Sequence, residues 1–420
     1  MKKRILDALK YNKLVVKTYN GMMNRIHQLV MSTEVAEVRP ILCRTNSIPM
    51  RKKRINLLIP SLNIEHVYGG ITTALSFFKQ LCEELECDCR IIVVDAAIDQ
   101  SQMVNMEDFA FVEWDGESGS RKQLVDLSSR TGKTLVVGDK DIFMTTIWWT
   151  AYMAQDIILW QAAQYKSEQK QLIYFIQDYE PGFYQWSSKY LMAESTYRMD
   201  LDVFAIFNSK LLYDFFIRQG YEFYKTCYFE PVLNEQLKEY LFNNKQGKER
   251  KKQILIYGRP GTPRNAFELI IEALRKWAEI QQDASEWNII SAGESFSDIE
   301  IDDNVKVHSL GKLTLEKYAQ TMLESKIGIS LMVSPHPSYP PLEMSTFGMK
   351  VITNTYANKD LRDFNENIIS LDNCSAMNIA KQLSKLCNDD CEAQIELNNN
   401  YVNGSISWTD IIQEIKTFLF

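Results

Sequence analysis

Residues 327–354 constrain the fold more than any other part of this 420-residue chain. An apolar run at 327–333 has the length of a strand, and a proline-rich loop follows it. A short helix is expected from about Tyr339, and the apolar residues 350–354 have the pattern of a second strand. Strand, loop, helix and strand in this order predict one unit of a parallel α/β sheet.

The residues between those two strands have the chemistry of a nucleotide-sugar site. Ligands of open α/β sheets bind beyond the carboxyl ends of the strands, so Glu343 and the loop before it should face a crevice. The amino end of the helix offers unpaired N–H groups to an anion, and a carboxylate accepts hydrogen bonds from sugar hydroxyls. We therefore predict that His336, Ser338, Tyr339 and Glu343 bind a nucleotide sugar. An interaction of Glu343 with the helix dipole alone is the alternative.

A second candidate site segment lies upstream. Residues 254–258 have the pattern of a buried strand, and a glycine-containing turn and an apolar-periodic helix follow. Two arginines of this turn, Arg259 and Arg264, form a plausible diphosphate clamp because a guanidinium keeps its proton and binds phosphate oxygens in pairs. For Arg264, a solvent-facing position in the first helical turn is an equal alternative.

The amino-terminal half repeats the alternation of strands and helices. Residues 55–60 are expected to be the first strand, and Gly69 and Gly70, which let a ligand approach the backbone closely, open a helix over 71–85. Further strands are expected at 90–95, 134–138, 171–177 and 203–207. Alternation in both halves predicts two doubly wound α/β domains, for which 420 residues suffice.

Residues 339–354 resemble the second half of the Glu-x7-Glu signature of retaining glycosyltransferases of family 4, which have the two-domain GT-B fold. In that family the second Glu contacts the nucleotide ribose, and Glu343 stands at its position. The first Glu would fall where this chain has Pro335. The resemblance also implies that Arg259 and Arg264 hold the diphosphate. It implies that Lys312, which follows a Leu-Gly pair, contacts the base or a phosphate.

The segment that begins at Gln177 adds to this resemblance. At this point family 4 commonly has a His and an acid that face the donor sugar; here Gln177 replaces the His and Asp178 keeps the acid. The chain resembles the WsaF-type rhamnosyltransferases of bacterial surface-glycan assembly. This resemblance is carried by Arg259, Lys312 and the segments 177–181, 207–209 and 340–343. This resemblance covers about residues 54–420 and implies the donor dTDP-β-L-rhamnose. A 6-deoxy sugar would explain an altered sugar pocket.

The implied architecture is an α/β protein of the GT-B fold. Two Rossmann-like doubly wound domains face a cleft, and a basic helical leader precedes them. We expect the leader at 1–54, an acceptor-binding domain at 55–230, a nucleotide-sugar-binding domain at 231–404, and a helix at 405–420 that crosses back to the first domain.

The implied function is retaining transfer of L-rhamnose from its dTDP donor to a growing bacterial surface polysaccharide, with no metal or other cofactor. The expected catalytic residues are Asp178, Arg259 and Glu343, and Gly69, Gly70, Arg264 and Lys312 are expected to join the donor site. Tyr179 and Glu180 are candidates for binding the acceptor. Four aromatic residues follow Asp178, and we expect them to pack in the protein rather than to stack on the acceptor: Tyr179, Phe183, Tyr184 and Trp186.

Two other functions are compatible with this architecture. A nucleotide-sugar epimerase can share the fold and would act without an acceptor. A non-catalytic nucleotide-sugar-binding subunit of a glycan-assembly complex would turn nothing over, and Pro335 and Gln177 are the residues that suggest it.

Charge is unevenly distributed along the chain, whose formal net charge is −7. Residues 1–54 contain thirteen Lys or Arg against three Asp or Glu, whereas the remainder contains 34 against 51. Apolar and basic residues interleave near the start, which predicts an amphipathic helix that binds an anionic membrane surface carrying a lipid-linked glycan acceptor. A solvated or dimerising helix is the alternative.

Several classes of protein are excluded or disfavoured. No basic stripe alternates with aromatic residues, which argues against nucleic-acid binding. The longest apolar segment, 142–163, is interrupted by Gln155 and Asp156 and is expected to be a core helix rather than a membrane span. The eight cysteines have no zinc-like spacing and no secretory signal is present. We therefore expect reduced thiols in a cytoplasmic protein, peripheral on the inner face of the membrane.

Overall fold

The structure is a computed structural model that describes residues 35–65, 69–168, 171–244, 250–389 and 394–420. The chain divides into two compact units, Met1–Pro40 and Ile41–Phe420. The described part of the first unit contains a 3-10 helix at Ala36–Val38. The amphipathic helix predicted for the leader lies outside the described residues.

The first half of the second unit is built on a parallel sheet. The strands of this half, in chain order, are β1 (Leu42–Thr45), β2 (Arg54–Ile59), β3 (Asp88–Val93), β4 (Ala110–Phe111), β5 (Lys122–Asp126), β6 (Thr134–Val137), β7 (Asp141–Thr145), β8 (Gln171–Ile176), β9 (Asp202–Phe207) and β10 (Lys225–Tyr228). The main sheet has eight strands in the order β10-β9-β8-β7-β2-β3-β5-β4, and β1 pairs with β6 alongside. Neighbouring strands are parallel throughout.

Helices cover both faces of this sheet. They are α1 (Gly69–Glu84), α2 (Trp148–Tyr165), α3 (Ser188–Ser195) and α4 (Lys210–Arg218). Side chains alternate along β2: Leu57 packs in one apolar cluster with Phe77 of α1, whereas Leu58 packs in another with Ile157 of α2. Because both faces are buried, all six residues of β2 are buried, as expected for a central parallel strand.

A second, separate sheet forms the other half. Its strands are β11 (Lys251–Gly258), β12 (Asn288–Gly293), β13 (Ile299–Glu300), β14 (Lys306–Gly311), β15 (Ser325–Ile329), β16 (Lys350–Asn354) and β17 (Ile368–Leu371). Their order is β13-β14-β12-β11-β15-β16-β17, and all pairs are parallel except that of the edge strand β13. The helices of this half are α5 (Glu235–Asn243), α6 (Phe267–Ile280), α7 (Leu315–Glu324), α8 (Tyr339–Thr346), α9 (Ala376–Cys387) and α10 (Asn400–Asn403).

The last helix, α11 (Thr409–Leu419), packs on the first sheet rather than the second. Trp408, immediately before it, contacts Phe77 of α1 and Phe229, which follows β10. At its far end Phe418 packs on Phe204 of β9. The chain therefore crosses between the halves twice, once after β10 and once before α11. The four domain boundaries drawn from the sequence stay predictions.

One expectation about secondary structure, a single core helix over residues 142–163, was wrong. Residues 142–163 form the strand β7 and then the helix α2, because β7 is buried on both faces and its apolar run has no period that separates it from a helix. Strand β5 was not expected at all. Leu42–Thr45, which was counted with the leader, pairs with Thr134–Val137. Among the described helices, none is both long and apolar enough to cross a bilayer.

Candidate active site

Several of the predicted site residues follow parallel strands of the second sheet and therefore share its carboxyl edge. Arg259 follows β11, Lys312 follows β14, and the loop 330–338 follows β15. Strands β14, β12, β11 and β15 are consecutive neighbours in the sheet, so these loops lie side by side. This is the edge at which open α/β sheets bind ligands.

Asp178 joins the two halves of the molecule. It follows β8 of the first sheet, yet its carboxylate accepts a short hydrogen bond from Ser334 Oγ, in the loop after β15. Its other oxygen lies 3.5 Å from Arg264 Nε. The backbone N–H of Tyr179 donates to the same carboxylate at 2.8 Å. Asp178 is thus buried between a turn of its own half and two residues of the other.

Arg264 is directed at this junction rather than at solvent. Its guanidinium carbon lies 4.2 Å from the centroid of the Phe183 ring, which belongs to the segment after Asp178. Its Nε is buried and makes no hydrogen bond within the described residues. The carbonyl of Arg264 accepts from Val333 N at 2.7 Å, which ties the turn after β11 to the loop after β15.

The loop after β15 is held in an unusual conformation. Asn354 of β16 bonds both backbone groups of Met332, accepting from its N–H at 2.7 Å and donating to its carbonyl at 3.0 Å. Ser338 has a φ of 69°, a conformation that few non-glycine residues adopt. Its N–H donates to His336 Nδ1 at 3.0 Å. These bonds fix the loop in front of α8.

His336 is buried and neutral. Because Nδ1 accepts a hydrogen bond from the backbone, the ring proton resides on Nε2. Burial, with smaller contributions from the charges of Lys359 and Arg264, lowers the pKa of His336 to about 4, and the charge of Asp178 opposes this shift. The Nε2 atom is buried without a hydrogen-bond partner among the described residues, so it offers an unused donor.

Glu343 occupies a different part of this edge. It lies in α8, and burial raises the pKa of its carboxyl to about 7, while the nearby Tyr318 hydroxyl limits the rise. Burial raises the pKa of Tyr339 and of Tyr401, and the charge of Glu343 raises both further. The interactions of Glu343 are thus with a group of tyrosines, and in the described chain it is not joined to Asp178.

The predicted diphosphate turn holds a carboxylate of the protein itself. Glu294, which follows β12, accepts from Arg259 Nε at 3.3 Å, from Gly261 N at 2.6 Å and from Thr262 Oγ1 at 3.3 Å. Gly293 has a φ of 135°, and a Cβ there would overlap the carbonyl oxygen of the adjacent strand β11. A guanidinium, a backbone N–H and a hydroxyl therefore converge on one anionic group, as an anion site requires.

Lys312 and the two glycines lie where the other half approaches. Lys312 Nζ is 3.4 Å from the carbonyl oxygen of Ile64, in the loop between β2 and α1. Gly69 and Gly70 are the first residues of α1; a Cβ on Gly70 would overlap the Gln177 side chain, whereas Gly69 has open space around it. Close packing against Gln177 therefore accounts for Gly70, and its role in binding the donor stays a prediction.

The two candidate acceptor residues face inward. The Tyr179 hydroxyl lies 3.1 Å from that of Tyr221 and 3.3 Å from that of Tyr190. Glu180 is buried and accepts from the backbone N–H of Trp148, and burial raises the pKa of its carboxyl. These are the contacts of packing residues, and acceptor binding by this pair stays a prediction.

Trp186 does not pack, contrary to expectation. Its side chain is 99% exposed, whereas Tyr184 of the same segment accepts a hydrogen bond from Trp148 Nε1 at 2.9 Å. Trp186 precedes α3, whose Leu191 is also exposed. An exposed aromatic ring in the segment that follows Asp178 along the chain is thus available to a ligand.

Three residues of the site were not predicted from the sequence: Ser334, Glu294 and Lys359. Ser334 lies in the proline-rich loop that the strand pattern had already located, whereas Glu294 follows β12, which the strand pattern above did not include. Lys359 is 1% exposed and donates to the carbonyl oxygen of Met332 at 2.5 Å. No local pattern marks it, because a lysine in a loop is ordinarily solvated.

Comparisons with known proteins agree with this architecture. The chain matches the WsaF N-terminal domain family over residues 54–210 and the WsaF C-terminal domain family over residues 252–384, together more than half of its length. It is 34% identical over 181 residues to the O-antigen biosynthesis protein RfbC of Myxococcus xanthus, a match that spans 43% of this chain and 14% of that relative. A sucrose-phosphate synthase from Thermosynechococcus elongatus superposes with a TM-score of 0.52 at 12% identity, covering 87% of this chain and 98% of that one. The chain has the GT-B fold and belongs to the WsaF family.

Proposed function

We propose that this protein is a glycosyltransferase that moves a sugar from a nucleotide-sugar donor to a glycan acceptor in surface-polysaccharide assembly. The observation that carries the proposal is the junction at Asp178, where the carboxyl edges of two Rossmann-like sheets meet. A donor held by one sheet and an acceptor held by the other would react there. Membership of the WsaF family and the relative named for O-antigen biosynthesis support the same class of reaction.

The donor in this proposal is dTDP-β-L-rhamnose, and the reaction retains the anomeric configuration. Arg259, Arg264 and Lys312 stabilise the diphosphate as it leaves, since negative charge develops there in the transition state. These cations take the place of a divalent metal. Glu343 accepts hydrogen bonds from ribose hydroxyls.

Asp178 acts at the other side of the reacting centre. Its carboxylate steers the acceptor hydroxyl or stabilises an oxocarbenium-like sugar. Retention follows either from front-face attack, in which the leaving phosphate takes the acceptor proton, or from an enzyme nucleophile. The acceptor is a growing, lipid-linked glycan at an anionic membrane surface that the basic leader contacts.

A donor panel tests the proposal. Thermal melting of the full chain is measured with dTDP, dTDP-L-rhamnose, UDP-glucose and GDP-mannose, in the presence of EDTA. A ligand at 100 times its Kd stabilises by about 2.7 kcal/mol, so the preferred donor should stand out as a clear rise in Tm. We expect dTDP-L-rhamnose to give that rise. Preference for UDP-glucose, or a strict requirement for Mg²⁺, would contradict the donor and the metal-free chemistry respectively.

Product analysis separates the classes of function. With dTDP-L-rhamnose and a glycan acceptor, we expect dTDP release that depends on the acceptor. Epimerised nucleotide sugar formed without an acceptor would identify an epimerase, and binding without any turnover would identify a non-catalytic subunit.

Two variants test the donor contacts. Arg259→Ala and Glu343→Ala should each weaken dTDP binding, because they remove a phosphate cation and an acceptor for ribose hydroxyls. Lys252→Ala is the matched control: this lysine pairs with Asp283 and Glu286 at the amino end of β11, opposite the proposed site. Unchanged dTDP affinity in both site variants would remove these residues from the donor site.

A further inference from the structure

Lys359 is a charged residue in a place that ordinarily excludes charge. It lies in the turn after β16, closed by paired backbone hydrogen bonds between Tyr356 and Lys359 at 3.1 and 2.7 Å. Its side chain is 1% exposed. Burial lowers the pKa of the ammonium to about 7, and the charge of Asp178 opposes that shift. An ammonium is expensive to bury unless its protons are matched by acceptors.

The one acceptor that Lys359 has does not account for its burial. Its Nζ donates to the carbonyl oxygen of Met332 at 2.5 Å. That carbonyl already accepts from Asn354 Nδ2 at 3.0 Å, so the lysine is not needed to satisfy it. In the described chain the ammonium has no second acceptor, and an ammonium carries three donors. An apolar side chain of similar length would fill the space at lower cost.

Two other buried donors lie around the same junction. His336 Nε2 carries the ring proton and makes no hydrogen bond within the described residues, and Arg264 Nε has the Asp178 carboxylate 3.5 Å away without forming a hydrogen bond to it. The charges of Lys359 and Arg264 both act on His336, and Asp178 acts on His336 and Lys359. The three donors come from separate loops, those after β11, β15 and β16, at one edge of the sheet.

A group of buried donors whose protons are only partly matched by acceptors points to a ligand made of anionic oxygens, since buried polar groups are otherwise nearly always paired. We propose that Lys359 is a phosphate-binding residue, which together with His336 Nε2 and Arg264 holds oxygens of the donor's diphosphate. This inference rests on the proposed function. It adds to the donor site a cation that lies outside the two segments predicted to bind phosphate, residues 259–264 and 336–343. Asp178 supplies the only carboxylate paired with Arg264 among the described residues.

The test compares Lys359→Met, which keeps the length of the side chain without its charge, with the unchanged protein. Isothermal titration calorimetry measures binding of dTDP, inorganic pyrophosphate and thymidine. A charge-assisted hydrogen bond is worth about 10- to 100-fold in affinity, so dTDP and pyrophosphate should weaken by that factor and thymidine should not. Lys252→Met, an equal change of charge at the opposite edge, should bind all three as the wild type does.

The outcomes distinguish this inference from the proposed function. Equal binding of dTDP by Lys359→Met and wild type overturns the inference, and so does a parallel loss of dTDP and thymidine, which would indicate a purely structural role. Wild-type binding of pyrophosphate but of no nucleotide would overturn the proposed donor and leave Lys359 as a phosphate residue. Wild-type binding of neither overturns both.

A measurement on the wild type remains if Lys359→Met does not fold. Affinity for dTDP should fall as the pH rises from 7 to 9, because the ammonium is lost. Lys359→Arg should not show this fall; Glu343, whose pKa burial raises to about 7, titrates in both proteins, so the difference between the two profiles reports Lys359. His336 stays neutral throughout, since its pKa is about 4, and burial raises the pKa of the neighbouring Cys374 thiol, which keeps its proton. Asp178 and Arg264 are the other charged groups at the junction, and coincident pH profiles of the wild type and Lys359→Arg would refute the inference.

Discussion

Replacing Asp178 with Asn should change the affinity for the donor nucleotide and the rate of sugar transfer in opposite directions. The substitution keeps an oxygen for Ser334 and for the Tyr179 N–H but removes the charge that lies 3.5 Å from Arg264. Arg264 is then released to bind phosphate, and a negative charge that repels the diphosphate is lost. We therefore expect Asp178→Asn to bind dTDP more tightly than the wild type and to transfer sugar more slowly.

The size of the gain follows from the geometry. Two unit charges 3.5 Å apart interact with about 5 kcal/mol at an effective dielectric constant of 20. Most of that attraction is offset by desolvation, because the side chains of Asp178 and Arg264 are only 9% and 27% exposed. A net release of about 1 kcal/mol corresponds to roughly fivefold tighter dTDP binding. Loss of a group that acts mainly in the transition state should lower transfer about a hundredfold.

The assay is calorimetric titration of dTDP together with acceptor-dependent dTDP release. Asp283→Asn is the matched control, since it also removes a carboxylate from an ion pair, with Lys252 at 2.8 Å, but at the far edge of the sheet. A fall in dTDP affinity as large as that of Arg259→Ala would refute the placement of Asp178 beside the diphosphate. Wild-type transfer in the variant would make Asp178 a turn residue.

Other predictions concern stability, pH and surfaces. Asp141→Asn should lower the free energy of unfolding by about 3–5 kcal/mol in urea titrations, because the buried carboxylate accepts hydrogen bonds from Arg54 at 2.7 and 2.8 Å. Asp108→Asn, which breaks an exposed pair with Lys122, should lower it by less than about 1 kcal/mol, and equal effects of the two substitutions would contradict this. Burial raises the pKa of Glu343 to about 7, so the folded state binds an extra proton and loses stability as pH rises from about 4.5 to 7. Glu343→Gln should therefore gain in Tm over the wild type at pH 8 relative to pH 5, and a constant difference would contradict the shift. Trp186→Ala should change stability by less than about 0.5 kcal/mol, because the ring is 99% exposed, yet raise KM for the acceptor; an unchanged KM would exclude stacking. Deleting residues 1–30 should abolish salt-sensitive sedimentation with anionic vesicles while sparing dTDP affinity, and equal binding of the full chain to neutral vesicles would contradict the electrostatic reason.

The alternation of strands and helices was readable from the sequence because its signals are local. Apolar runs of strand length separated by glycine and proline turns predicted β2, β6, β8 and β9 within a residue or two. The same reasoning missed β7, which is buried on both faces and runs almost directly into the apolar helix α2. Such a run has no period that distinguishes a strand from a helix.

The positions of the candidate site residues along the chain were also set by the sequence. Glu343, Arg259 and Lys312 each follow a strand or open a helix in a recognisable pattern. Parallel strands then bring such positions to one edge of a sheet, whatever the details of packing.

Only the tertiary structure decided which of these groups meet. Asp178 contacts Ser334, which is 156 residues away, and Arg264 turns to the same carboxylate. Lys359 loses its solvent because the loop after β15 folds over it. Pairings of this kind depend on how two sheets approach each other. No local period of the sequence encodes that approach, because each of these polar residues would fit the strand-and-loop pattern of its own segment equally well if it were exposed to solvent.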